Sequence, residues 1–196
     1  MRPALCLAFL LALGAGCATA PPPPLSAAER LGRAQLVSSD WYIYSQLAAL
    51  KLIEEYGPPD RIERNRLTWH NRGPWQKIVV WNARDYHAPA PEFLDSVEQT
   101  VPYTVPADKR TALAAFSGRI RVSRDGSELT ARGADETLNL LALNLAHELI
   151  RGVRSPEEAR RFYERTRELA AAGKSSPYMQ ELFFLKLSVR PTSPQP

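Results

Sequence analysis

The stretch RIERNRLTWHNRGPWQKIVVWNA, residues 61–83, decides the fold. It contains two β-prone runs, 61–70 and 75–82, joined by the turn residues Asn71-Arg72-Gly73-Pro74. Aromatic and β-branched residues on both sides of a Gly-Pro turn predict an antiparallel pair. In the second run Trp75, Val79 and Trp81 alternate with Ile78 and Val80, so both faces are apolar. A strand of that kind belongs inside a sheet rather than at its edge.

On the N-terminal side, SSDWYIYSQLAALKLIEEYGPPD (38–60) opens on the capping candidates Ser38, Ser39 and Asp40 and stops at Gly57-Pro58-Pro59. Its apolar residues Trp41, Ile43, Leu47, Leu50, Leu52 and Ile53 point nearly all round, which predicts a largely buried helix. On the C-terminal side, YHAPAPEFLD (86–95) is a proline-broken loop. SVEQTVPYTVP (96–106) then alternates, with Val97, Val101, Tyr103 and Val105 on one face. Pro102 lacks a ladder donor, which places this strand at an edge or a bulge. A short helix at 107–116 precedes a hairpin around Asp125-Gly126, where Ile120 and Val122 oppose Leu129 and Ala131.

The last third is helical. In 135–153, Leu138, Leu141, Ala142, Leu145, Ala146, Leu149 and Ile150 form one broad arc, and Asn144, His147, Glu148 and Arg151 lie opposite, facing solvent. Ser155-Pro156-Glu157-Glu158 combines an N-cap serine, proline at the first helical position and a capping-box glutamate. The helix it starts buries Ala159, Phe162, Tyr163, Thr166 and Leu169 and pairs Glu157 with Arg161 and Arg160 with Glu164. Ser176-Pro177 begins a last short helix that docks through Leu182, Phe183 and Leu185. The expected fold is one α+β domain over 37–187. It has a buried N-terminal helix, a mainly antiparallel sheet of four to five strands and a helical C-terminal segment on one face, with 188–196 a loose tail. Trp81 and Phe162 are expected in the core.

The first residues, MRPALCLAFLLALGAGCATAPPPP, bear on location. Arg2 precedes an apolar run from Ala4 to Gly16 that is too short to span a bilayer. Gly14, Ala15 and Gly16 then lead into Cys17, which resembles the lipobox of bacterial lipoproteins. By that resemblance, residues 1–16 are a signal peptide. Cleavage before Cys17 leaves it with a thioether diacylglycerol and an acylated amine. An ordinary secretory signal cut nearby is the alternative. Cysteine usage favours the lipobox, because Cys6 lies in the discarded segment and Cys17 is the only other thiol. Residues 17–36, with four consecutive prolines, read as a lipidated tether. Ala18 lacks the aspartate that retains many such proteins at the inner membrane, so the resemblance implies the outer membrane, facing the periplasm.

The formal charge is +4, falling to +3 once Arg2 is removed, and acids and bases are interleaved. No nucleic-acid groove is expected. Chemistry is sparse. LNLAHELIRG (143–152) opens like the zinc-protease signature H-E-x-x-H, but Arg151 stands where the second histidine would be. No metal or cofactor is therefore expected. There is no Gly-x-Ser-x-Gly elbow, and the mature body has no free cysteine to activate. His70, Arg72, Trp75, Asp85 and His87 remain as a candidate ligand or partner surface, with Trp75 the most exposed of the hairpin tryptophans.

A helix running into Gly57-Pro58-Pro59-Asp60, followed by a strand bearing Trp69 and a second strand, resembles the small outer-membrane lipoproteins of the barrel-assembly machinery. The similarity covers residues 46–81. The helical C-terminal third departs from that family, in which two helices precede the sheet. The resemblance implies an envelope lipoprotein with a binding role. The expected function is a non-enzymatic, lipid-anchored envelope module that binds or scaffolds another envelope protein or peptidoglycan. The alternative is an envelope hydrolase or cell-wall-sugar binder using the Trp/His hairpin.

Overall fold

The 61–82 segment folds into three strands rather than two. The computed structural model describes residues 24–82 and 95–186. It places β1 at Arg61–Glu63, β2 at Arg66–Arg72 and β3 at Trp75–Trp81. Arg64-Asn65 makes a two-residue turn between the paired Glu63 and Arg66, which splits the first run. Gly73-Pro74 makes the next turn, with Gly73 at a positive φ of 52° between the paired Arg72 and Trp75. β4 (Val97–Pro102), β5 (Ile120–Val122) and β6 (Glu128–Gly133) complete an antiparallel sheet in the order β1-β2-β3-β4-β6-β5. Among the described residues the sheet thus has six strands, the short β1 being the one beyond expectation.

β3 is interior, as its two apolar faces predict. β4 is interior as well, which corrects the edge or bulge inferred from Pro102. The correction has a simple geometric cause. Tyr103 N–H donates toward β6, at Ser127 O, so the neighbouring Pro102 faces the β3 side, where the pairing has already ended at Thr100. The missing donor costs nothing there. The β5–β6 hairpin has the expected register, Ile120 opposite Ala131 and Val122 opposite Leu129. Gly126 at its turn has φ 82°, and a Cβ there would meet Arg110 Nη2 at 2.8 Å.

Among the described residues six α-helices accompany the sheet: α1 (Ala27–Ser38), α2 (Ile43–Tyr56), α3 (Arg110–Phe116), α4 (Glu136–Ile150), α5 (Pro156–Ala171) and α6 (Phe183–Lys186). The extended tether inferred for 17–36 therefore gives way to helix from Ala27. Ser26 and Glu29 form a complete capping box that starts it. Ser38 closes α1 instead of capping α2, which begins after Tyr42 with no side-chain cap. α5 starts as predicted, with Ser155 and Glu158 in a capping box and Pro156 in the first turn. Its surface pairs differ from expectation: Glu164 binds Arg167, and Arg160 donates across to Ala115 O of α3. Among the described residues no helix is long and apolar enough to cross a membrane.

α4 lies at the centre. Nine of its residues are buried, among them Leu140, Leu141, Leu143, Leu145, Ala146 and Leu149, with the polar Asn139 and Asn144. The arc assigned to solvent is thus covered at Asn144 and partly at His147 and Glu148 by the segment after α5, while Arg151 stays exposed. Asn144 Nδ2 donates to Tyr178 O and Glu181 O, at 3.0 and 2.7 Å, and its Oδ1 accepts from Phe183 N–H. Leu182 and Phe184 are buried beside it, and Phe183 and Leu185 only partly. α2 packs one face, Ala49, Leu52 and Ile53, into the core, and Ile43, Leu47 and Leu50 point outward.

The tryptophans sort differently from expectation. Trp69 and Trp75 are 0% and 1% exposed, while Trp81 and Phe162 are only half-buried. Trp81 lies on the sheet face away from α4, with the Arg66 and Arg132 guanidiniums 5.2 and 5.8 Å from its ring. Trp69→Ala should therefore destabilise by about 3–5 kcal/mol, as fully buried aromatic truncations do. Trp81→Ala should cost less than half as much, and denaturant titration of the two variants checks this order.

Candidate functional site

Asp60, the residue that ends the Gly57-Pro58-Pro59-Asp60 turn, organises two of the predicted surface residues. Its Oδ2 accepts from His70 N–H at 2.7 Å and its Oδ1 from Arg72 Nη2 at 2.8 Å. Arg72 Nη1 also reaches His70 O at 2.6 Å. His70 and Arg72 are thus brought together, but by a turn clamp on the end of β2. Asp85 and His87 lie outside the described residues, as does Cys17. Trp75 is not exposed with them. Its indole turns inward, and Nε1 donates to Tyr56 Oη at 3.3 Å.

That bond begins a buried polar chain for which the sequence held no pattern. Tyr56 O–H donates to Glu136, with oxygens at 2.9 and 3.1 Å, and Gln99 Nε2 donates to Glu136 Oε2 at 2.6 Å. Asn139 Nδ2 donates to Gln99 Oε1 at 2.9 Å and to Val97 O at 3.1 Å. The chain joins α2, β3, β4 and α4. Gly133 completes it by close approach, since a Cβ there would lie 2.8 Å from Asn139 Oδ1. Burial raises the Glu136 carboxyl above its ordinary range, against the hydrogen bonds from Tyr56 and Gln99. Burial, followed by the Glu136 charge, raises Tyr56. Tyr56 is therefore a fixed donor, and the chain ties α2 to the sheet and to the start of α4.

His147 is likewise engaged. Its Nδ1 lies 2.7 Å from Tyr103 Oη, and its ring stacks on Phe184 with centroids 5.1 Å apart. Burial and then Arg151 lower its pKa, so the ring is neutral at pH 7 and its tautomer decides which of Nδ1 and Tyr103 Oη donates. It is half-buried, which corrects the solvated position inferred from the polar arc. The following Glu148 binds Arg154 and Tyr178. Among the described residues no group of three or more His, Cys, Asp or Glu side chains could hold a metal ion.

Among the described residues, an open groove of about 1210 Å³ lies between the C-terminal half of α1 and the β1–β2 turn. Arg33, Asp40, Glu63 and Arg64 supply charges of both signs along it, and Leu36, Val37, Trp41 and Ile62 supply apolar surface. Trp41 ties the two walls together through Nε1–H to Arg64 O at 2.9 Å. The groove exceeds the roughly 300–1,000 Å³ of small-molecule pockets, and a polypeptide segment suits it better. Sequence reasoning missed it because α1 was read as tether. The capping signal Ser26-x-x-Glu29 was the cue that could have found it. A smaller cleft of about 370 Å³ lies between α3 and α5, with Arg119, Arg160 and Arg167 on its walls. Two of these arginines are held there by Tyr163 and Glu164.

No protein-family model, curated protein sequence or solved structure matches this chain.

The raised pKa of Glu136 gives a signed prediction. A carboxyl whose folded pKa exceeds its unfolded value favours folding most at low pH. That contribution is lost as pH rises from the ordinary glutamate value through the raised one. Glu136→Gln removes the titration. The stability of the variant relative to wild type should therefore increase with pH across that window, in paired denaturant titrations. A difference that does not change with pH would mean that Glu136 titrates as an ordinary carboxyl.

Proposed function

We propose that this protein is a lipid-anchored cell-envelope module that binds or scaffolds another envelope component through the groove between α1 and the β1–β2 turn. The groove carries this reading. It is an open concavity whose walls hold charges of both signs among the apolar Leu36, Val37, Trp41 and Ile62, which suits a protein segment bearing both signs. The reactive side chains support the same reading from the other direction. His70, His147 and Glu136 are each bound to neighbours within the fold.

Anchoring rests on the sequence around Cys17, which supports lipidation and an outer-membrane, periplasm-facing location. Each buried methylene contributes about 0.8 kcal/mol, so several acyl chains hold the protein durably. The order of elements adds support to the resemblance to barrel-assembly lipoproteins, since α1 and α2 precede β1–β3. A sugar-binding platform has less to build on, because Trp69 and Trp75 are buried.

Two measurements test the reading. Fatty-acid labelling should mark the wild type, and Cys17→Ser should lose the label. A photo-crosslinking residue in place of Asn65, an exposed turn residue on the groove wall, should trap one discrete envelope protein, whereas the same residue in place of Arg165 on α5 should not. Identical cross-linking patterns at the two positions would contradict a groove-directed module.

A further inference from the structure

The outward face of α2 departs most from the behaviour expected of its sequence. Ile43, Leu47 and Leu50 recur at i, i+4 and i+7, which puts them on one stripe of the helix. With Tyr44 beside them, the four side chains are 41% to 55% exposed. They occupy the first two turns of the helix, and the charged residues Lys51, Glu54 and Glu55 begin only beyond them. Tyr42 packs on Tyr44 at 5.6 Å and extends the aromatic end of the patch. Nothing described in the fold covers this stripe.

We infer that this stripe is a membrane-contact face, seated in the interfacial region of the same bilayer that holds the acyl groups on Cys17. The inference rests on the lipid-anchor reading above. The first ground is reach. Ala27 lies ten residues beyond Cys17, and an extended chain spans at most about 3.6 Å per residue, so α1 starts within about 36 Å of the anchor. α1 itself adds about 18 Å before the chain turns into α2.

The second ground is size. Four half-exposed side chains offer roughly 300–400 Å², whereas a stable protein interface needs about 800 Å² per partner. A second copy of this chain is therefore poorly served by the stripe. A membrane surface is well served by it, because the tether makes contact an intramolecular event at high effective concentration, for which weak insertion is enough. The third ground is chemistry. Leucine and isoleucine with flanking tyrosines suit the boundary between headgroups and acyl chains, and the stripe carries no charge that would select a headgroup. Contact of this kind fixes which side of the body faces the bilayer and leaves the durable attachment to the acyl groups.

Leu47→Cys provides the test in the full, processed protein, because Cys17 is acylated and Cys6 is removed with the signal. An environment-sensitive fluorophore at position 47 is compared with one at the exposed Lys174→Cys position, after α5. Both variants are reconstituted into vesicles of phosphatidylcholine alone and of phosphatidylcholine with phosphatidylglycerol. Emission from position 47 should shift to the blue and be quenched by brominated lipid, equally in both vesicle types, while position 174 stays unchanged. A water-like, unquenched probe at 47 on vesicle-bound, acylated protein overturns the membrane face and leaves the anchor standing. A blue shift that is not quenched by lipid and grows with protein concentration also overturns it, in favour of self-association. The mass of the N-terminal fragment reads the anchor separately. Absence of the diacylglyceryl group at Cys17 overturns the anchor and this inference with it.

Discussion

The burial of α4 is the constraint on which the rest of this structure depends. A helix in the middle of a small domain must place most of the polar side-chain atoms it carries against partners, because an unpaired buried group costs about 1–3 kcal/mol. α4 carries several. The Asn139 Nδ2 group is answered by Gln99 and Val97 O from the sheet, while its Oδ1, packed against Gly133, is left without a hydrogen bond, and Asn144 is answered by the backbone of the segment after α5. His147 is answered by Tyr103, and Glu148 by Arg154 and Tyr178. The partners come from β4, from Tyr103 just after it, from Arg154 just after α4 and from the 178–183 segment. Satisfying α4 therefore fixes where β4, the loop before α3 and the C-terminal segment must lie.

The same requirement reaches α2 through Glu136. The carboxylate takes donors from Tyr56 and Gln99, and Tyr56 in turn takes Trp75. A strand residue expected at the surface is thereby drawn into the interior, and α2 is held on β2 and β3 by one face only. Its other face remains apolar and outward. Interior polar pairing and the exposed stripe are thus two sides of one arrangement.

Much of the fold was legible in the sequence where local chemistry decides it. The Asp125-Gly126 hairpin, the capping box at Ser155 and the interior position of β3 follow from turn residues, caps and alternation, and the structure has them all. The failures share a cause. Asn144 and His147 lie on the polar arc of α4, yet a distant segment covers them, and no period in the sequence announces that. Pro102 was read by its missing donor alone, whereas the side of the strand it faces decides whether the donor is needed. Trp75 and Trp81 alternate in sequence with the same parity. The turn at Gly73, with Asn71 at φ 52°, precedes a strand whose first tryptophan lies inward on Tyr56 and whose last is half-exposed between two arginines. Of the candidate site, the clustering of His70 and Arg72 was legible, and the Asp60 that gathers them was not. The groove stayed hidden behind the reading of residues 27–36 as tether.

Native-state hydrogen exchange tests the central role of α4 most directly. Amides from Asn139 to Leu149 should exchange only through global unfolding, together with those of β4. Amides of α1, which buries only Ala34 and Ser38, should exchange by local opening and show little dependence on denaturant. Exchange of α4 at a lower free energy than α1 would contradict the account, since the helix said to organise the fold would then be the first part to leave it.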